Sequence, residues 1–177
     1  MGSIRLSKSE AASEQLDCAI KLHFENSSPA SVSTLVGAAS VLFTDLVEHE
    51  NLGASWDVKV QQANGLQPNE YFKISRNLPN SLKHADKDPE SNIEIHFIEV
   101  DHQLILATLN AGALGTLSTM QKAFQVWYFS VYAESFMPNS VVVERSVELI
   151  GIMHSLQRQQ QLVKGIEFVR LQVTSLD

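Results

Sequence analysis

With 177 residues, 44% of them hydrophobic, and no Pro/Gly/Ser-rich linker, the chain can fill one core. It reads as a single helical domain over 1–177, with 1–6 and 174–177 expected to be flexible. A formal charge of −7 and singly scattered Lys and Arg argue against a nucleic-acid partner, because phosphate binding needs clustered bases.

One cysteine, Cys18, can form neither an internal disulfide nor a paired-cysteine metal site, which favours a reducing compartment; beside the apolar stripe, it reads as a small core residue. The N-terminus lacks an apolar signal core, and the most apolar run, Leu104 to Leu117, is interrupted and too short to cross a bilayer. The expectation is a cytoplasmic protein without a membrane partner.

Ser7 and Glu10 have capping-box spacing and open a helix whose apolar stripe is Ala12, Leu16, Ala19, Ile20 and Phe24. Pro29 starts a second helix, carrying Val32, Leu35, Val36, Ala39, Leu42, Phe43 and Leu46 inward, with Thr44, Asp45, Glu48 and Glu50 on the wet side. Trp56, Val60 and Ala63 predict a short third helix ending at Asn64-Gly65. Pro68 opens a fourth segment that Pro79 must kink or restart, with Asn77 as a cap and with Leu82 and Ala85 inward. Alternation of Ile93, Ile95 and Phe97 with Glu94 and His96 predicts a short strand over 93–99.

Asp101 can cap a helix carrying Leu104, Ile105, Thr108 and Leu109, and Ser118 starts another with Met120, Phe124, Trp127, Tyr128 and Val131 inward. A last long helix runs from Ser140 through Val143, Val147, Ile150, His154 and Leu156 into the polar run Gln157 to Gln161. The segment 166–173 fits a strand, a helical turn or an arm on a neighbouring chain. The pattern therefore implies an all-α fold: an antiparallel bundle of about six to seven helices, with room for one short strand pair.

Chemistry concentrates in Asn80 to Pro89. His84, Asp86 and Asp88 are nitrogen and oxygen donors close enough for one loop, but Asp and Pro here also build a turn, and Lys83 and His84 complement a helix C-terminus. The turn is the stronger reading, so no metal is assigned and no cofactor is implied. His84, Lys83 and Arg76 are the candidates for acid/base or anion-stabilising work, though no nucleophile stands beside them. Asn80, Lys83, His84, Asp86 and Asp88 form the candidate ligand-binding set. His23, His49, His96, His102 and His154 read as isolated boundary residues.

Ser7 to Ala12 with Gln15-Leu16-Asp17 and Ala19-Ile20, then Thr34-Leu35-Val36 and Ala38-Ala39, is similar to the first two helices of an uncharacterised bacterial helical protein family. Asn80 with Lys83-His84-Ala85-Asp86-Lys87-Asp88-Pro89 resembles that family's Lys-His-Ala-Asp signature. This covers about the first half of the chain and implies no activity. Where the family tends to place a histidine before Thr34-Leu35, this chain has Ser33. More remotely, the helix order with Arg76-Asn77 and Lys83-His84 resembles the HEPN superfamily of helical bundles, which implies dimerisation and, in some members, RNA cleavage. Here seven residues, Pro79 among them, separate Arg76 from His84, more than that pattern has.

The leading expectation is a non-enzymatic helical bundle acting through protein contacts as a homodimer, with another protein partner as a variant. The rivals are a HEPN-like ribonuclease or toxin-like RNA-binding protein using His84, and small-ligand or metal binding around His84.

Overall fold

The computed structural model describes residues 2–84, 86 and 88–174. Ala85 and Lys87, which carry the inward alanine and part of the signature, lie outside the described residues, as do 175–177 of the expected C-terminal tail. Ser7 begins α1 (Lys8–Phe24) as expected: its hydroxyl accepts from the Glu10 amide at 3.1 Å, and the Glu10 carboxylate accepts from the Ser7 amide at 2.7 Å. The predicted stripe is buried, but Cys18 is exposed. It lies on the far side of the helix from Leu16, Ala19 and Ile20, so it is not a core residue.

The next helix, α2 (Pro29–Glu50), is capped by Ser28 and is the central rod. It is long and apolar enough to cross a bilayer, unlike the run singled out in the sequence, yet here it packs against α1 and α6 (Phe97–Ala113). Thr44, assigned to the wet side, is buried at 4% exposure.

Three short helices follow: α3 (Trp56–Ala63), α4 (Pro68–Ser75) and α5 (Asn77–Ser81). Pro79 restarts the chain, as one of the two expected outcomes, but the cap is Arg76 rather than the expected Asn77, which is already the first helical residue. Pro79 occupies the first turn of α5, where its missing N–H had no intrahelical partner to lose. Its ring presses on Gly37 of α2, where an added Cβ would come within 2.5 Å of it.

The predicted strand at 93–99 does not form. Residues through His96 carry no regular structure, and α6 starts at Phe97, well before Asp101, which is therefore not its cap. Ile95 packs on the core while Ile93 and Phe97 are exposed, and no second strand exists among the described residues to take up the backbone bonds.

Ser118 and Gln121 form the capping box of α7 (Thr119–Val131), and a 3-10 turn (Ala133–Ser135) leads to α8 (Val141–Ile150). The expected long final helix breaks at Gly151, whose φ of 86° suits glycine. The polar run from Arg158 onward and 166–173 then belong to one helix, α9 (Arg158–Thr174), so 166–173 is not a strand.

The fold is all-α, with nine α-helices among the described residues where the sequence suggested fewer. The surplus comes from the breaks at Arg76 and Gly151. Nor does every neighbour run antiparallel. Ser33 of α2 bonds Gln103 of α6 at 3.0 Å, and further on Thr44 meets Asn110 at 3.4 Å, so these two rods run in the same sense.

Candidate functional site

Because α2 and α6 run the same way, the groove between them is closed by the short helices. Two anchors hold these in place. At one, the Trp56 amide of α3 donates to Asn110 Oδ1 of α6 at 2.7 Å; at the other, Pro79 of α5 rests on Gly37. Between the anchors lies a cavity of about 520 Å³, inside the ~300–1,000 Å³ range of small-molecule pockets. Val36, Val41, Leu106 and Leu109 form its apolar walls, and Trp56, Tyr71, Tyr128, Phe129 and Phe136 supply aromatic surface.

The sequence candidates divide here. Arg76, Asn80 and Lys83 line the cavity, whereas His84, Asp86 and Asp88 are exposed and do not. The Asn80 amide bonds Arg76 O and the Lys83 amide bonds Asn80 O, which puts all three on one side of a continuous helical turn. The Arg76 guanidinium carbon sits 4.2 Å from the Phe72 ring centre. Neither Arg76 nor Lys83 forms an ion pair among the described residues.

Asp88 instead shapes the loop, its carbonyl accepting from the Ser91 amide at 3.0 Å across Pro89. Among the described residues, no three His, Cys, Asp or Glu side chains are grouped to hold a metal ion.

On the α6 wall stand Glu99, His102 and Gln103. His102 packs edge-on to the Tyr128 ring and tilted against that of Tyr132; burial there lowers its imidazole pKa, against the opposing pull of Asp101 and Glu99. Tyr128 is pushed up to about 12, mainly by burial and then by the Asp101 charge.

At the α3 end, Asp57 is buried and accepts from Thr44 Oγ1 at 2.7 Å, Asn110 Nδ2 at 2.8 Å and the Tyr71 hydroxyl at 3.1 Å. Burial, and then the Asp57 charge, raises the Tyr71 pKa.

A second buried carboxylate lies in the core on the other side of α6. Asp101 receives both Nη atoms of Arg158 at 2.7 Å and the Tyr132 hydroxyl at 2.6 Å, with His23 Nε2 at 3.4 Å. His23 is itself buried, and that burial is the main reason its pKa falls to about 4. The pocket beside this cluster, lined by His23 and Arg158, is small, and the cluster ties α1, α6, α7 and α9 together.

Sequence reasoning found the cationic face of α5 but missed the cavity, both aspartate clusters and the buried state of His23. Asn110 and Thr44 could have been flagged, since each is a polar residue on an otherwise apolar helical stripe. Compared with protein-family models, with curated proteins and with solved structures, the chain matches none of them.

Proposed function

We propose that the protein binds a small, largely apolar molecule in the cavity between α2, α6 and the α3–α5 segment, and acts as a binding protein. The observation that carries this reading is the cavity itself, whose apolar and aromatic walls are interrupted by a few converging polar groups. A chain this size would gain stability by collapsing such a space, since interiors otherwise pack densely. The cavity sits between packed rods held apart by the Trp56–Asn110 and Gly37–Pro79 anchors.

The test is thermal denaturation against a library of small aromatic and aliphatic compounds. A ligand at a hundred times its dissociation constant adds about 2.7 kcal/mol. Leu106→Trp, which fills the cavity from α6, should abolish the gain while keeping the helical circular dichroism. A library that shifts neither protein overturns the reading.

A second reading concerns self-association. Met137, Val141, Val142, Leu149 and Ile152 are exposed on and around α8, an apolar patch of the kind that covers a partner surface. A homodimer through α8 predicts a dimer mass in light scattering and a monomer after Val142→Glu. A monomeric wild-type protein removes it.

A further inference from the structure

Resting on the cavity reading above, we infer that the ligand is an organic anion: a carboxylate or similar acidic head on an aromatic or aliphatic body. Arg76, Lys83 and Asn80 take the head, and the Leu106 and Phe129 side of the cavity takes the body.

The placement of charge carries this. Arg76 and Lys83 are two cations on one helical face, with the Asn80 amide between them, and all three line the cavity. Neither is ion-paired among the described residues, although the chain carries an excess of acids that could have served. Arg76 is held over the Phe72 ring, a contact that restricts where the guanidinium sits before any ligand arrives. A pre-oriented guanidinium presents paired N–H groups to a planar carboxylate, the geometry in which such bonds are strongest.

Beside it, the Ser75 hydroxyl lines the same space, shielded from solvent and within reach of the Tyr71 hydroxyl.

The two carboxylates on the cavity do not favour a cationic guest over an anionic one. Asp57 already accepts three hydrogen bonds, and Glu99 is exposed to water on the opposite wall. His102 reinforces no cation site either, since burial favours its neutral form. The charge on the cavity wall that no ion pair meets among the described residues is therefore mostly that of Arg76 and Lys83.

Three probes sharing one body separate the head group from the cavity: phenylbutyrate, phenylbutanol and phenylbutylamine, titrated calorimetrically into the full chain at low salt. The expected order is carboxylate first by about tenfold over the alcohol, with the amine weakest. Raising the salt should shrink that margin, as Lys83 is exposed. Arg76→Gln with Lys83→Gln should cost the carboxylate about tenfold and the alcohol much less, so that the two bind alike. If the double variant melts early, Lys83→Gln alone makes the same comparison with a smaller loss.

Equal binding of carboxylate and alcohol by the unaltered protein, or tighter binding of the amine, overturns the anion inference and leaves the cavity reading standing. Binding by none of the three overturns both.

Discussion

The two buried aspartates of this protein solve the same problem differently. Asp101 is fully buried and meets a guanidinium in bidentate contact, so its charge is matched by a charge. Asp57 is nearly as buried but is surrounded only by neutral donors, a threonine, an asparagine and a tyrosine. The first arrangement sits in the aromatic core among Phe24, Phe124 and Trp127 and brings α9 in from the C-terminus. The second borders the cavity, where the dielectric is higher if water or a polar ligand enters. A carboxylate in a dry core needs a cation, whereas one beside a polar space can be held by dipoles.

The sharpest way to break this contrast is to remove the cation. Arg158→Met should cost about 3–5 kcal/mol in urea denaturation, because it strands a buried negative charge. A cost near 1 kcal/mol would mean that Tyr132 alone suffices, and the contrast with Asp57 would vanish.

Acid attacks the same cluster through His23. Its folded pKa, about 4, lies below its ordinary 6.5, so the unfolded chain takes up the proton first as pH falls. Stability from this group is complete above pH 6.5 and is lost progressively between 6.5 and 4, by roughly 3 kcal/mol at most. His23→Gln should flatten the dependence of the denaturation midpoint on pH in that window. An unchanged slope would show that His23 is not what drives it.

Next in size is Asp57→Ala, expected to cost about 1–3 kcal/mol by leaving Asn110 Nδ2 and the Tyr71 hydroxyl short of an acceptor. Calorimetric melting should place it clearly below Arg158→Met in effect. Equal losses would indicate that the cavity offers those donors no water.

What could be read in advance follows the range of the interactions. Ser7 with Glu10, the start at Ser118 and the restart near Pro79 are settled within a turn of chain and stand as the sequence suggests, although the restart is capped at Arg76 rather than Asn77. The apolar stripes of α1 and α2 were likewise legible because helical period alone sets them.

Thr44 was assigned to solvent because a threonine on a helix usually goes there. Its burial depends on Asp57 and Asn110, the latter far along the chain, arriving at the same point. His23 looked isolated for the same reason, since Asp101 and Arg158 reach it from other helices. The alternation at 93–97 has no partner strand among the described residues, and five alternating residues cannot report whether one exists.

At the candidate site, Arg76, Asn80 and Lys83 were visible as a polar stretch. That they face a cavity while His84 does not depends on Gly37 admitting the Pro79 ring, a contact between two helices that composition cannot reveal.

The finest test compares two tyrosines, each donating one hydrogen bond to one of the aspartates. Tyr132→Phe removes a 2.6 Å bond from Asp101, and Tyr71→Phe a 3.1 Å bond from Asp57. Bond length alone would make Tyr132 the costlier loss. Compensation predicts the reverse: Asp101 keeps two guanidinium bonds, while Asp57 falls from three neutral donors to two with no cation to hold its charge. Each change should cost about 1–2 kcal/mol, from the upper part of the range for a neutral hydrogen bond to the lower part of that for a bond to a charged group, with Tyr71→Phe the larger by about 0.5 kcal/mol. Paired urea titrations of the two variants resolve a difference of that size. If Tyr132→Phe proves the more damaging, the strength of the individual bond outweighs the charge around it, and the two aspartates differ in geometry rather than in how their charge is held.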